Sequence, residues 1–222
     1  MVKVGIITSS AGSTIDAAFN ILKSASVGID FVVVTDRLCE SEKIAEKHGY
    51  KHKRIPYSPE FDFQASAYLF NDEEIDIVIL LHSRLISEVL FKTGKCFNIH
   101  PSLLPAFPGM NATQQAFEKK VRFIGVTAHL VDQGVDTGPI LSQCLLPLSN
   151  DDSIKELNRK SHYLRIYTFL QILEIEFPHS FNSPSAHDES FGLLGNPPLK
   201  NSLVKAGFYD YAKDITSLHM FF

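Results

Sequence analysis

Short apolar, β-branched runs alternate with segments of helical spacing from Val2 to about residue 175. Such alternation is typical of a parallel sheet whose strands are joined by crossover helices. The predicted strands are residues 2–8, 31–34, 51–55, 76–81, 96–100, 123–130 and 140–146. The predicted helices are residues 15–25, 41–48, 61–70, 112–119 and 152–176, the last with Asp151 or Asp152 as its N-cap. The pattern therefore predicts an α/β fold.

The character of the sequence changes after residue 177. Residues 178–201 are rich in Ser, Asn, Pro, Gly and His, which indicates a long loop or linker. Residues 203–222 recover apolar positions, and we expect the aromatic rings there to pack on the core or on a partner chain. These rings are Phe208, Tyr209, Tyr211, Phe221 and Phe222. We therefore divide the chain into a domain at 1–177 and an irregular C-terminal extension at 178–222 without a readable motif.

The composition excludes several classes of protein. The 222 residues are 45% hydrophobic and 21% charged, with a formal net charge of −4 and no basic run that could neutralise a nucleic-acid backbone. The apolar stretches are far shorter than the roughly 20 residues of a membrane-spanning helix, and the N-terminus lacks a signal-peptide pattern. We therefore expect no nucleic-acid or membrane partner and a cytoplasmic location.

The cysteines and histidines give no sign of a disulfide or a metal site. Cys39, Cys96 and Cys144 lie far apart and form no CxxC pair. The histidines show no H-x-x-E spacing. We expect buried free thiols and no metal.

Two polar residues, Asn98 and His100, end the fifth predicted strand. Because side chains alternate along a strand, they should point to the same face. The segment that follows, residues 101–108, is rich in proline and cannot form a regular helix. A lone histidine at a strand end is usually structural, but one held beside an amide on a rigid turn is well placed for catalysis. Both interpretations are open at this point.

The loop at residues 9–14 joins the first strand to the first helix. Its small residues leave backbone N–H groups available to an anion, or they form a plain turn capped by Ser13 or Thr14. The loop fits neither the dinucleotide pattern nor the P-loop pattern, so we expect no nucleotide cofactor.

An acidic loop at residues 131–139 separates two predicted strands. Its Asp132 and Asp136 are typical of a turn whose carboxylates bind local amides, unless an active-site partner lies nearby. His129, just before the loop, is interpreted as a structural histidine.

Two motifs carry a resemblance to a known family. They are Asn98-Ile99-His100-Pro101-Ser102-Leu103-Leu104-Pro105, followed by Pro108-Gly109, and Val131-Asp132-Gln133-Gly134-Val135-Asp136-Thr137-Gly138-Pro139-Ile140. With these motifs in this order, residues 1 to about 175 resemble the folate-dependent formyltransferases, most closely the phosphoribosylglycinamide formyltransferases of purine synthesis. The resemblance implies a Rossmann-like, mostly parallel sheet of about seven strands flanked by helices.

The resemblance also implies a reaction and a site. The formyl donor would be 10-formyltetrahydrofolate, and the acceptor would be an amine of a small phosphorylated molecule. The implied catalytic residues are Asn98, His100 and Asp136. The implied acceptor contacts are Gly12, Ser13, Thr14 and Pro101, and the implied folate contacts are Ser83, Arg84, Leu85, Ile86, Asp132 and Val135. A cis bond at Leu104–Pro105 is expected on the same grounds.

The chain departs from the family pattern mainly near the acceptor. Residues 10–14 lack one glycine and the asparagine of the usual G-x-G-S-N run, and residues 111–113 stand where the family often has histidines. His82 is larger and more polar than the usual residue of the folate segment. Ser161 stands where the family usually has a substrate-binding glutamate.

The sequence leaves three alternatives to this function open. They are hydrolysis of formyltetrahydrofolate, N-formylation of a sugar nucleotide, and folate binding without turnover. Methionyl-tRNA formylation is less favoured because it normally adds a basic C-terminal domain. A homodimer stays open as the assembly state.

Overall fold

The structure, a computed structural model, describes residues 1–82, 84, 86–181 and 194–213. The expectations stated for Ser83, Leu85, Phe221 and Phe222 therefore fall outside the described residues.

The described residues form one eight-stranded sheet in the order β3-β2-β1-β4-β5-β6-β7-β8. Neighbouring strands are parallel from β3 to β5 and antiparallel from β5 to β8. The strands are β1 (Val2–Thr8), β2 (Ile29–Thr35), β3 (Lys51–Arg54), β4 (Ile77–Leu81), β5 (Lys95–His100), β6 (Phe123–Leu130), β7 (Ile140–Pro147) and β8 (Leu194–Asn196). The predicted α/β class is confirmed, with one strand more than the seven expected.

Helices cover both faces of the sheet. They are α1 (Ser13–Ser24), α2 (Glu40–His48), α3 (Phe61–Ser66), α4 (Glu88–Thr93), α5 (Ala112–Glu118), α6 (Ile154–Glu176) and α7 (Ser202–Ala212). A π-helical segment, Ala67–Asp72, continues α3. The larger apolar core lies between the sheet and α1, α6 and α7, and the smaller one lies under α3 and α4.

The sequence pattern located most elements but missed details that depend on local hydrogen bonds. The N-cap of α6 is Ser153, whose hydroxyl accepts from the Glu156 amide, so the prediction of Asp151 or Asp152 was wrong. Asp152 instead accepts from the Ser149 amide and pairs with Lys160 at 2.6 Å. Helix α4 was not predicted because its six residues are too few to show a helical period.

The C-terminal extension is more regular than its composition indicated. Strand β8 pairs antiparallel with β7, and Asn201 caps α7 by accepting from the Leu203 and Val204 amides. Val204, Phe208 and Ala212 are buried at spacings of four residues. The ring of Phe208 meets that of Tyr167 on α6 at 5.1 Å between centroids. The described part of the extension therefore completes the core on the α1/α6 face.

Replacing Phe208 with Ala tests whether α7 is part of this core. Phe208 is 1% exposed, so we expect Phe208→Ala to lower the free energy of unfolding by about 3–5 kcal/mol. Leu203→Ala is the matched control on the same helix, because Leu203 is 51% exposed and its loss should cost less than about 0.5 kcal/mol. Denaturant unfolding of both variants measures the difference, and equal small effects would contradict the packing of α7.

Candidate active site

The candidate site lies at the carboxyl ends of β1, β4 and β5, which are neighbours in the sheet. From β1 the sheet extends to β2 on one side and to β4 on the other, and ligands of α/β sheets bind at the carboxyl ends of strands at such a point. The loop before α1 follows β1, residues 82–87 follow β4, and the proline-rich segment follows β5. Three predicted site segments therefore meet at one edge of the sheet.

Asn98, His100 and Asp136 converge at this edge. Asn98 and His100 share a face of β5, and Asp136 reaches them from the loop between β6 and β7. Asn98 Nδ2 donates to Asp136 Oδ1 at 3.2 Å, and His100 Nδ1 lies 3.1 Å from Asp136 Oδ2. The three side chains are thus in direct contact across 38 residues of sequence.

His100 is buried and contacts an oxygen atom at each end of its ring. Its Nε2 lies 2.8 Å from the carbonyl oxygen of Phe107, and its Nδ1 faces the Asp136 carboxylate. Because both oxygens are acceptors, the doubly protonated imidazolium ring satisfies both contacts. The geometry therefore fixes the plane of the ring.

Asp136 is the electrostatic centre of the site. Burial alone would raise the pKa of its carboxyl group. A hydrogen bond from His129, the Gly109 amide and the charges of both histidines outweigh burial and hold the pKa below its ordinary value. The Gly109 amide donates to Oδ2 at 2.7 Å. Asp136 is therefore a carboxylate at neutral pH.

His129 joins this cluster, which the sequence did not predict. Its Nε2 lies 3.4 Å from Asp136 Oδ1 and 3.3 Å from Asn98 Nδ2, and its Nδ1 lies 2.9 Å from the Leu130 carbonyl oxygen. The antiparallel register of β5 and β6 pairs Asn98 with His129. We call Asn98, His100, His129 and Asp136 the polar cluster. Only the pairing register, which no local pattern reveals, could have identified His129.

The segment after β5 is held rigidly against β6. Thr127 Oγ1 donates to the Ser102 carbonyl oxygen at 2.7 Å and accepts from the Leu104 amide at 3.1 Å. Gln143 on β7 donates to the Leu104 carbonyl oxygen at 3.0 Å. The Leu104–Pro105 bond is cis, as the resemblance implied. Pro101, an expected acceptor contact, is half-buried directly after His100.

The expected acceptor loop leads directly into α1. Gly12 has φ +74°, a left-handed backbone that favours glycine, and a Cβ there would lie 3.0 Å from the Ser41 Cα atom of α2. Ser13 is exposed, and no described side chain caps the first turn of α1. Thr14 Oγ1 lies 3.5 Å from His162 Nδ1 on α6. This contact joins the start of α1 to α6.

The expected folate segments border the other side of the site. Arg84 Nε lies 2.6 Å from Asp36 Oδ2, and its guanidinium lies over the Tyr57 ring at 4.4 Å. Ile86 packs on the smaller core. These contacts fix the backbone after β4. The contacts of Ser83 and Leu85 lie outside the described residues.

The acidic loop contributes two further expected contacts. Asp132 Oδ1 accepts from the Gly134 amide at 3.0 Å and from Thr137 Oγ1 at 2.7 Å. Val135 is half exposed. Asp132 therefore acts locally to shape the loop that carries Asp136, and Val135 offers an apolar surface beside it.

The site offers hydrogen-bond donors and a buried carboxylate. In the part of the chain that the structure describes, no three His, Cys, Asp or Glu side chains are grouped to hold a metal ion. Among the described helices, none is long and apolar enough to cross a membrane. The arrangement suits proton transfer and the stabilisation of an anionic oxygen.

Parts of the chain are similar to known proteins. Over 94 residues it is 43% identical to the phosphoribosylglycinamide formyltransferase of Bacillus subtilis (strain 168), covering 41% of this chain and 48% of that protein. Over 162 residues it is 27% identical to the formyltetrahydrofolate deformylase of Synechocystis sp., covering 71% of this chain and 57% of that protein. The chain thus spans less than two thirds of either curated relative.

The fold is shared with solved structures. The crystal structure of glycinamide ribonucleotide transformylase 1 from Geobacillus kaustophilus matches with a TM-score of 0.73 and 29% identity, covering 79% of this chain and 98% of that chain. The family model described as formyl transferase matches residues 2–173. This match includes both motifs and the whole polar cluster, and the chain therefore belongs to the formyl transferase family.

Proposed function

We propose that this protein transfers a formyl group from 10-formyltetrahydrofolate to an amine of a small, phosphorylated acceptor. The observation that carries the proposal is the contact between Asn98, His100 and Asp136, which two distant segments contribute to one edge of the sheet. Membership of the formyl transferase family supports the same reaction.

The chemistry explains why an amide and an imidazole are needed. When the amine attacks the formyl carbon, the formyl oxygen gains negative charge in a tetrahedral adduct. A donor aimed at such an oxygen lowers the activation free energy by about 2.7–4 kcal/mol. One hydrogen of Asn98 Nδ2 is held by Asp136, and we propose that the other, on the side of His129, donates to the formyl oxygen. The imidazolium ring of His100 supplies positive charge beside it.

A proton must also be transferred during the reaction. The attacking amine loses a proton, and the departing folate nitrogen gains one. Positioned proton transfer contributes roughly 10²–10⁴-fold to a rate. The His100 ring lies between the Phe107 carbonyl oxygen and the Asp136 carboxylate, which orients the ring at 3.1 Å from Nδ1. We propose that these two groups, with a water molecule, relay the proton.

The two substrates would approach from opposite sides of the polar cluster. We propose that the reduced folate contacts Ser83, Arg84, Leu85, Ile86, Asp132 and Val135. We propose that the acceptor contacts Gly12, Ser13, Thr14 and Pro101, because the free amides at the start of α1 favour a phosphate. The relatives named as phosphoribosylglycinamide formyltransferases support a phosphoribosyl amine as the acceptor.

Hydrolysis is the second candidate, because one relative is named as a formyltetrahydrofolate deformylase. Water would then replace the amine at the same polar cluster. An acceptor screen with 10-formyltetrahydrofolate separates the candidates. We expect folate release only with glycinamide ribonucleotide, and none with an amino-sugar nucleotide or with water alone. Release at the same rate without any amine would establish hydrolysis and contradict transfer.

His100→Ala tests whether the cluster performs catalysis. We expect turnover to fall at least about 10²-fold, because the positive charge beside the adduct oxygen and the proton relay are lost, while binding of a folate analogue changes little. The control is His52→Ala, because His52 lies on β3 at the far edge of the sheet beside Glu46 and should leave turnover unchanged. Equal residual turnover in wild type and His100→Ala would favour a folate-binding protein without catalysis.

Asp136→Asn tests the charge of the carboxyl group. The substitution suits the left-handed backbone at this position, where φ is +55°. The folded-state pKa lies below the ordinary 3.8, so the carboxylate stabilises the fold above that pH. We expect wild type to be the more stable above about pH 5, and the two unfolding free energies to converge as the pH falls through the lowered pKa.

The measurement is denaturant unfolding of both proteins across this pH range. A difference that stays constant down to the lowest pH would show that the charge of Asp136 contributes nothing to stability.

A further inference from the structure

His82 is the first residue after β4, and its ring bonds to the backbone of the segment that follows. Its Nδ1 accepts from the Arg84 amide at 3.3 Å, two residues further along the chain. Asparagine and aspartate side chains make the same bond in an Asx turn. Because Nδ1 needs its lone pair for this bond, the ring is neutral and its proton lies on Nε2. The contact between residues 82 and 84 therefore depends on the protonation state of His82.

Two carboxylates hold the same segment from other elements. Arg84 Nε lies 2.6 Å from Asp36 Oδ2, and the Ser87 amide donates to Asp62 Oδ2. Asp36 directly follows β2 and His82 directly follows β4, so the two residues leave the sheet on either side of β1. Asp62 lies on α3. The segment after β4 is thus held at three points, and one of them is a histidine.

The surroundings of the ring keep it neutral at pH 7. Burial lowers the pKa of His82 below its ordinary 6.5, and the charge of Arg84 acts in the same direction. The carboxylates of Asp36 and Asp62 act in the opposite direction but do not outweigh burial. His82 Nε2 is buried and has no hydrogen-bond partner within the described ranges. Protonation of the ring therefore begins only at acidic pH.

Protonation would exchange the partner of the ring. With a proton on Nδ1, two N–H groups would face each other, so the bond to the Arg84 amide would break. The imidazolium would also be repelled by the Arg84 guanidinium. Asp62, whose charge acts on the ring, offers an alternative acceptor, because its Oδ1 is buried and accepts no hydrogen bond from the described residues. The neutral and the charged ring thus favour different contacts.

We propose that His82 is a positioning residue for the formyl donor, whose neutral ring holds Arg84 where it contacts the reduced folate and whose protonation releases it. The contact with folate rests on the proposed function, whereas the hydrogen bond between residues 82 and 84 does not. His82 is larger and more polar than the residue usual in the folate segment of formyltransferases. The pH dependence of donor binding is therefore a property of this chain.

The tautomer of His82 is measured on the full chain without ligands. Nitrogen-15 spectra of histidine rings distinguish protonated from unprotonated nitrogens, and the signals of His82 are identified by their absence in His82→Asn. We expect a neutral ring with its proton on Nε2 at about pH 7.5, and titration of the ring below about pH 6.5. The Arg84 amide signal should shift in the same pH range. A proton on Nδ1 at about pH 7.5 would overturn the proposal, whether or not the protein transfers formyl groups.

Two variants separate the hydrogen bond from the titration. His82→Asn keeps an acceptor for the Arg84 amide but cannot be protonated. His82→Leu removes the acceptor and keeps an apolar side chain of moderate size. The probe is tetrahydrofolate, the donor without its formyl group, titrated calorimetrically under reducing conditions. At about pH 7.5 we expect wild type and His82→Asn to bind equally, and His82→Leu to bind about 2–10-fold more weakly, the equivalent of one hydrogen bond.

The pH profile distinguishes positioning by His82 from a merely structural role. As the pH falls, only wild type should lose affinity relative to the variants, by up to about tenfold for each pH unit below the pKa of His82. Because all three proteins bind the same ligand, the ligand's own titration cancels. In turnover, His82→Leu should raise KM for the donor and leave kcat nearly unchanged, since the polar cluster is intact.

The outcomes separate this proposal from the proposed function. Parallel pH profiles of wild type and His82→Asn, or equal weakening in His82→Asn and His82→Leu, would overturn the positioning role alone. The expected binding profiles without formyl transfer to any amine would contradict the proposed function alone. Absence of tetrahydrofolate binding by wild type would contradict both.

Discussion

The buried carboxylate of Asp136 is the constraint on which the site depends. A carboxylate removed from water must be paired and hydrogen bonded, and here the Gly109 amide, the Asn98 amide and His100 meet this requirement from three segments. If any of them were displaced, the charge would be left partly unsatisfied. The hydrogen bonds of this one carboxylate therefore hold three segments together: the loop between β6 and β7, the end of β5 and the proline-rich segment.

The sheet provides the rigid frame for this arrangement. Strand β5 is parallel to β4 on one side and antiparallel to β6 on the other, so it receives neighbours from both halves of the sheet. The parallel half positions the loops after β1 and β4, and the antiparallel half brings the acidic loop back to the same edge. The site thus forms where the sheet changes from parallel to antiparallel.

The sequence predicted what depends on local pattern. Alternation along β5 placed Asn98 and His100 on one face, and the periodicity of apolar residues located α6 within two residues of its observed start. The sequence could not predict contacts that depend on strand register, such as those of His129, or a strand as short as β8. The Ser153 cap was missed because three polar residues compete for one position, and only hydrogen-bond geometry distinguishes them.

In the polar cluster, each side chain binds another member of the cluster. Groups that satisfy one another in this way are thermodynamically coupled, so the energetic effects of their substitutions do not add. The loss of a second member should cost far less than the loss of the first, because the first loss already frees the others from their fixed orientations. No residue of this set has a contribution of its own that could be assigned apart from its neighbours.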